Sequence, residues 1–159
     1  MKNIAVFPGS FDPITKGHES VVLRAINIFD EIIISIGENS QKRTMFSLEQ
    51  RKKWLEETFA NHSNIKVDTY SGLTVDYCRK VNAKYIIRGL RNSVDYQYER
   101  NIALINNDLF PEIETIFLLT KPEHSSCNSS FVREILTFGG DITKFIPNAI
   151  QISEKHIQQ

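Results

Sequence analysis

Residues 7–18 read F-P-G-S-F-D-P-I-T-K-G-H, and the rest of the chain is interpreted outward from this stretch. It follows a short apolar run and precedes a helical pattern beginning near Lys16, so it predicts a strand, a tight turn and a helix start. Gly9 lets a ligand approach the backbone closely, and Thr15 is suited to cap the helix. The first turn of a helix carries unpaired N–H groups and the positive end of the helix dipole. The stretch therefore predicts an anion site at the end of a strand.

His18 ends the stretch, and its ring is expected to project towards whatever molecule occupies this site. The alternative is an ordinary strand-to-helix connection with a surface histidine. The order Thr15-Lys16-Gly17-His18 favours the first interpretation, because it resembles the T/H-x-G-H signature of nucleotidyltransferases related to class I aminoacyl-tRNA synthetases. That resemblance implies that the stretch holds the phosphates of a nucleotide.

Length and composition restrict the class of protein. A chain of 159 residues can bury a sizeable core, and we predict a single domain over residues 1–159. The 19 basic and 19 acidic residues cancel, so no overall field favours nucleic acid. Cys78 and Cys127 lack metal-ligand spacing and are expected to be reduced thiols of a cytoplasmic protein. With no signal-peptide pattern and no apolar run near the roughly 20 residues of a membrane span, no membrane partner is expected.

Strand and helix patterns alternate along the chain, which predicts an α/β fold. We expect a Rossmann-like, doubly wound, five-stranded parallel sheet with helices on both faces and C-terminal helices. The last of these helices is expected from about Pro147. The strands are predicted near residues 4–7, 32–36, 65–70, 85–87 and 115–119.

Ligands bind such sheets beyond the carboxyl ends of the strands, and polar segments fall there. Arg88 and Arg91 follow a strand directly, which suits bidentate phosphate binding but equally suits pairing with nearby carboxylates. Residues 124–130, H-S-S-C-N-S-S, open a helix that one of the last two serines is expected to cap. This run fits either the far end of a nucleotide or capping alone.

Two further residues have alternative interpretations. Lys42 lies in a polar loop after the second strand, where it either reaches the site or is only solvated. Glu99 either accepts a hydrogen bond from a ribose hydroxyl or lies on an exposed helix face. The Walker A and G-x-G-x-x-G patterns are absent, which disfavours P-loop NTPases and dehydrogenases. No cluster of histidine, cysteine and aspartate in the sequence indicates a transition-metal site held by the protein.

Taken together, these segments resemble the phosphopantetheine adenylyltransferase family over nearly the whole chain. The opening motif is shared by several nucleotidyltransferases, whereas its combination with I-R-G-L-R and D-Y-x-Y-E is much more specific. The similarity rests on P-G-S-F-D-P-I-T-x-G-H at residues 8–18, Lys42 with M-F-S-L-E-x-R at 45–51, I-R-G-L-R at 87–91, D-Y-x-Y-E at 95–99, S-S-x-V-R-E at 129–134 and D-I at 141–142.

The resemblance implies adenylyl transfer from ATP to 4′-phosphopantetheine, giving dephospho-CoA and pyrophosphate, in a cytoplasmic homohexamer. It implies Mg²⁺ as cofactor, held mainly by the nucleotide's phosphates, and coenzyme A as a candidate feedback ligand. Its catalytic residues would be His18, as the transition-state stabiliser, with Lys42 and Arg91. Its acceptor contacts would be Ser10, Lys42, Thr74 and Arg88, and its ATP contacts Ser10, Phe11, His18, Gly89, Leu90, Arg91, Glu99, His124, Ser125, Ser126, Cys127, Asn128, Ser129 and Ser130.

The sequence departs from the family pattern in the nucleotide loop, usually Tyr/Trp-Ser-Phe-Ile-Ser-Ser-Ser. Here an aromatic residue, a phenylalanine and an isoleucine are replaced by smaller or more polar residues, which bears on adenine packing. Ser10 stands where threonine is common and keeps the hydroxyl. Two other functions stay open: a nucleotidyltransferase with nicotinamide mononucleotide or glycerol phosphate as acceptor, and a nucleotide sensor without turnover.

Overall fold

Strands and helices alternate in the computed structural model, which describes residues 2–38 and 43–158. Short 3₁₀ helices cover Pro122–His124 and Glu154–His156. The strands are β1 (Ile4–Gly9), β2 (Glu31–Glu38), β3 (Ile65–Ser71), β4 (Tyr85–Leu90) and β5 (Glu114–Leu119), and the α-helices are α1 (Lys16–Ala25), α2 (Leu48–Thr58), α3 (Thr74–Lys80), α4 (Ser93–Leu109) and α5 (Ser129–Thr137).

The five strands pair in parallel in the order β3-β2-β1-β4-β5, which confirms the predicted sheet. The chain first moves outward from β1 to β3, then crosses back to β4 and continues to β5 on the other side. The connections that follow β1 and β4 therefore leave in opposite directions. In such a sheet a crevice opens beyond the carboxyl ends of these two neighbouring strands.

Both faces of the sheet are covered, which explains the apolar run in β2. Ile32, Ile34 and Ile36 pack in one core with residues of α1, α2 and α5. Ile33 points the other way, into a second core with residues of α3. A strand buried on both sides needs continuous rather than alternating apolar residues. The predicted helices on both faces are therefore present.

The helix predicted from about Pro147 is wrong. Between α5 and the short helix Glu154–His156, residues 138–153 form turns and irregular chain. The i, i+4 spacing of Ile146 and Ile150 resembles a helix, but each side chain reaches the core from irregular backbone. The segment's end then pairs with another loop, since the Gln158 N–H donates to the Met45 carbonyl at 2.9 Å. Tertiary pairing has overridden the local pattern.

The N-terminal cap of α1 agrees with the prediction, whereas that of α5 differs from it. The Thr15 side chain accepts a backbone N–H group at the start of α1, as predicted, and the Ser47 side chain does the same at the start of α2. The cap of α5 is Asn128, whose Oδ1 accepts the Phe131 N–H at 2.9 Å, so a serine cap is wrong. Ser129 instead donates its hydroxyl to the Pro13 carbonyl at 2.7 Å. It thereby ties α5 to the opening loop.

Strands β1 and β4 extend further than predicted, to Gly9 and Leu90. The two cysteines, Cys78 and Cys127, are free and buried. Of the helices within residues 2–38 and 43–158, none has the length and apolar character needed to cross a bilayer.

Ile150→Ala tests whether the irregular C-terminal segment belongs to the core. Ile150 is 5% exposed, so its truncation should lower the free energy of unfolding by about 2–5 kcal/mol. The matched control is Ile28→Ala, because Ile28 is 55% exposed and its truncation should change stability by about 0.5 kcal/mol or less. Urea unfolding followed by circular dichroism measures both. Equal stability of the two variants would contradict the packing.

Candidate active site

A cavity of about 490 Å³ opens at the carboxyl ends of β1 and β4, where the crossing pattern places a crevice. It brings together parts of the opening loop, the start of α1, the end of β4 and the start of α5. The site residues predicted from sequence that line it are Ser10, Phe11, His18, Arg88, Gly89, Arg91, Glu99, Cys127, Asn128, Ser129 and Ser130.

A second cavity of about 360 Å³ adjoins the first on the α3 and α4 side of the sheet. Thr74, predicted as an acceptor contact, lines this smaller cavity. The two cavities have five lining residues in common: Pro8, Gly9, Ser10, Arg88 and Glu99. Because they meet at these residues, two bound molecules can approach each other there.

Asp12 and Arg51 hold the opening loop in place. The Asp12 carboxylate accepts the backbone N–H groups of Met45 at 2.8 Å and Phe46 at 2.9 Å. Arg51, on α2, donates through Nε to the Phe46 carbonyl at 3.0 Å and through Nη1 to the Ser10 carbonyl at 2.7 Å. Both side chains are buried. Ser10 is thus fixed at the junction of the two cavities by a buried network.

Phe11 has a positive φ of 45°, which folds its ring back over Gly9. A Cβ atom at Gly9 would lie 3.0 Å from that ring, so only glycine fits without displacing it. The Phe11 ring packs edge-on against His18, with ring centroids 5.1 Å apart. The loop therefore positions the histidine from one side.

One hydrogen bond fixes the tautomer of His18. Its Nδ1 accepts the Thr15 backbone N–H at 3.1 Å, while the Thr15 hydroxyl accepts the His18 backbone N–H. A backbone N–H only donates, so Nδ1 carries no proton and the neutral ring holds its hydrogen on Nε2. Burial, followed by the positive charges of Arg88 and Arg91, lowers the pKa of His18 to about 4. At neutral pH His18 is an uncharged N–H donor in the larger cavity.

Arg88 and Arg91 each pair with a carboxylate and still line the larger cavity. Arg88 binds both carboxylate oxygens of Glu99, through Nε and Nη2, and donates through Nη1 to the Pro8 carbonyl. Arg91 binds Asp95 through Nε and Nη2. The predicted pairing with carboxylates is thus present, and phosphate binding by the two arginines stays a prediction. Glu99 is 8% exposed, so its placement on an exposed helix face is wrong.

Only the second half of residues 124–130 reaches the cavity. Cys127 lines it while its Sγ donates to the Phe145 carbonyl at 3.2 Å. His124, Ser125 and Ser126, together with Leu90 on β4, do not line the cavity. Their role as ATP contacts stays a prediction. Lys42 lies outside the residues that the structure describes, so its role also stays a prediction.

Sequence reasoning missed residues that shape the cavity without being predicted as contacts. Arg133 donates through Nη1 to the Asp12 carbonyl at 2.7 Å and through Nη2 to the Ser130 hydroxyl at 3.2 Å. Asp95 orients Arg91, as described above. Both residues lie within the motifs on which the resemblance rests. Their place in those motifs could have identified them as site residues.

The cytidylyltransferase-like family model matches residues 6–135. A phosphopantetheine adenylyltransferase of Flavobacterium johnsoniae is 49% identical over 150 residues, covering 94% of this chain and 98% of that protein. One from Thermotoga neapolitana is 45% identical over 143 residues, covering 90% of this chain and 89% of that protein. The chain belongs to the phosphopantetheine adenylyltransferase family.

Solved structures show that this family member shares its fold with more distant proteins. A bifunctional NMN adenylyltransferase/ADP ribose pyrophosphatase from Francisella tularensis superposes with a TM-score of 0.72 at 20% identity. The alignment covers 94% of this chain and 46% of that one, so this chain spans about half of the bifunctional protein. At this identity the likeness shows the α/β fold alone.

The neutral state of the buried His18 ring predicts that the free energy of unfolding depends on pH. Its pKa is about 4 in the folded chain and near 6.5 in the unfolded chain. Between these two pH values the ring is therefore protonated more fully in the unfolded chain. The stability contributed by the neutral ring is fully present above pH 6.5 and is lost as the pH falls towards 4. NMR titration should show a His18 midpoint near pH 4 with the proton on Nε2. Urea unfolding of His18→Gln should lack this part of the pH dependence; an unchanged pH profile would contradict the assignment.

Arg51→Met should destabilise the opening loop and the whole fold. It removes two hydrogen bonds from a charged donor, each worth about 1.5–3 kcal/mol, and leaves the Ser10 and Phe46 carbonyls unpaired. We expect a loss of about 3 kcal/mol or more in urea unfolding. Lys52→Met is the control, because Lys52 forms an exposed i, i+4 pair with Glu56 worth about 0.3–0.5 kcal/mol. A loss no larger than that control would show that the Arg51 network is unimportant.

Proposed function

We infer that this family member transfers the adenylyl group of ATP to 4′-phosphopantetheine, giving dephospho-CoA and pyrophosphate. The observation that carries the proposal is the pair of adjoining cavities that meet at Ser10 and Arg88. A nucleotide in the larger cavity and an acceptor in the smaller one would bring their phosphates together at this junction. The high identity to relatives named for this reaction supports the choice of substrates.

The reaction needs positioning more than proton removal. The acceptor is a phosphate monoester with a second pKa near 6, so it is largely a dianion at neutral pH. One of its oxygens attacks the α-phosphorus of ATP, a new P–O bond forms, and the bond to the bridging oxygen breaks to release pyrophosphate. Because both partners are anions, the main obstacle is their repulsion.

The arginines have donors left for these anions. A guanidinium has five N–H groups. Arg88 uses three on Glu99 and Pro8, and Arg91 uses two on Asp95, within the described chain. Two N–H groups of Arg88 and three of Arg91 are therefore available to phosphate oxygens. The carboxylates hold each guanidinium in one orientation before substrate arrives.

The roles follow from these positions. Arg88, at the junction, would hold the attacking phosphate together with Lys42. His18 would donate its Nε2 hydrogen to the α-phosphate as charge develops there. Arg91, in the larger cavity, would bind the departing pyrophosphate. Ser10 lines both cavities, which fits contacts with both substrates.

Mg²⁺ is proposed as a cofactor that arrives on the nucleotide. Mg²⁺ keeps several waters and is usually held by substrate phosphates and one or two carboxylates. The carboxylates in the larger cavity, those of Asp12, Asp95 and Glu99, already accept N–H groups of the protein. This donor set fits an ion held mainly by phosphate oxygens, and the ion would neutralise the leaving pyrophosphate.

The proposed assembly is a homohexamer in the cytoplasm. Helix α4 carries exposed apolar residues that a partner subunit would cover, including Leu104 at 49% and Ile105 at 59% exposure. Free Cys78 and Cys127 suit a reducing compartment. Coenzyme A contains the phosphopantetheine group, so we propose that it competes for the same cavities as a feedback ligand. Light scattering and inhibition by coenzyme A test these proposals.

The function is tested by pyrophosphate release from ATP with and without 4′-phosphopantetheine. Release should depend on this acceptor. Nicotinamide mononucleotide and glycerol phosphate, with ATP or CTP, complete the panel. Faster release with one of these acceptors would replace the proposal by a different transferase activity. ATP binding without release from any acceptor would identify a sensor.

His18→Ala should lower kcat by roughly a hundredfold or more, because one transition-state donor contributes about 2.7–4 kcal/mol. The folded structure should persist, which circular dichroism checks. His62→Ala is the control, since His62 lines neither cavity. Near-normal turnover in His18→Ala would remove His18 from the mechanism.

A further inference from the structure

Tyr70 on β3 and Thr74 at the start of α3 line the smaller cavity together. Their hydroxyl oxygens are 2.7 Å apart. Two hydroxyl groups carry two protons, and the hydrogen bond between them uses one. Across residues 2–38 and 43–158, no other protein group bonds to either hydroxyl. Whichever group donates, one O–H stays available to a molecule in the cavity.

The Tyr70 side chain of this pair is enclosed on two sides. The Tyr70 ring stacks on Tyr77 with centroids 4.7 Å apart and an interplanar angle of 22°. Tyr77 is anchored in turn by its hydroxyl, which donates to Asp68 Oδ2 at 2.6 Å. On the other side, a Cβ atom at Gly37 would lie 3.2 Å from the Tyr70 hydroxyl oxygen, so glycine leaves room for it. A donor fixed in advance loses little entropy when a ligand binds.

The pair is suited to a neutral oxygen rather than to a phosphate. Burial raises the pKa of Tyr70 above its usual value, and the Thr74 hydrogen bond and the charge of Arg88 offset this only in part. The hydroxyl is therefore protonated and uncharged at neutral pH. Arg88 lines the same cavity and supplies the charge that a phosphate needs. Ile102 and Ala103 offer no polar side chain to the acceptor, and the other uncharged polar side chains in this lining are those of Ser10, Tyr98, Asn106 and Thr115.

We propose that the Tyr70–Thr74 hydroxyl pair donates a hydrogen bond to a neutral oxygen in the amide-bearing arm of the acceptor. The inference rests on the proposed function, because it names a contact to the acceptor of that reaction. The resemblance to the family implied Thr74 alone. The structure adds Tyr70 and the joint action of the two hydroxyls.

The decisive variant is Tyr70→Phe/Thr74→Val, which removes both hydroxyls and keeps the ring and the volume. Calorimetry should show a roughly fivefold increase in Kd for 4′-phosphopantetheine, as expected for one lost neutral hydrogen bond. The Kd for ATP should not change, which also shows that the variant folds. Tyr85→Phe is the matched control, because it removes the same atom from a tyrosine ring that packs against Phe29 and lines neither cavity. It should leave both Kd values unchanged.

A second ligand distinguishes contacts to the arm of the acceptor from contacts to its phosphate. A simple alkyl phosphate of similar length has no amide or hydroxyl oxygen, so the wild type and the double variant should bind it equally. Equal weakening with both ligands would overturn the proposal, as would 4′-phosphopantetheine binding within twofold of the wild type. Acceptor-dependent pyrophosphate release by the wild type tests the proposed function separately. Normal release together with an unchanged Kd in the double variant overturns this inference alone.

Discussion

The site depends on the guanidinium of Arg88, which connects β1, β4 and α4. It donates to the Pro8 carbonyl at the end of β1 and to both carboxylate oxygens of Glu99 on α4. Glu99 is 8% exposed, and a carboxylate so enclosed is costly unless it is paired and hydrogen-bonded. The pair therefore fixes α4 against the sheet and forms the wall common to both cavities. A shift of α4 relative to β1 would change both cavities together.

His18 stays neutral beside Arg88 and Arg91, and helix capping provides part of the reason. The Thr15 N–H that donates to Nδ1 is also one of the unpaired donors at the start of α1. The same hydrogen bond caps the helix and prevents a proton on Nδ1. Burial and the nearby arginines disfavour a third cation. Since the pKa of about 4 lies well below neutral pH, the ring presents one constant N–H donor.

The fold could be predicted from sequence because it depends on local patterns, whereas half of the residues lining the larger cavity were expected as contacts from the resemblance to the family. Apolar runs identified five strands, and the glycine turn with its capped helix placed His18 at the carboxyl edge. The pairing of Arg88 with Glu99 could not be predicted, since it depends on how α4 lies across the sheet. Burial of Ile150 in irregular chain was missed because its spacing fits a helix, whereas its segment ends in a tertiary pairing of Gln158 with Met45 that no local pattern shows.

The structure also limits what the unusual nucleotide loop can change. Its sequence differs from the family pattern at positions 124, 126, 127 and 128, and of these Cys127 and Asn128 line the larger cavity. The Cys127 side chain is turned towards the Phe145 carbonyl, and Ser129 is bonded to Pro13. These contacts fasten the loop to the C-terminal segment and to the opening loop. The polar residues at 124 and 126 therefore alter the surface beside the cavity, while the lining changes at two side chains, those of Cys127 and Asn128. Adenine packing and phosphate positioning are thus separable properties of the proposed site, since the groups proposed to hold phosphate lie on α1 and at or just beyond the end of β4.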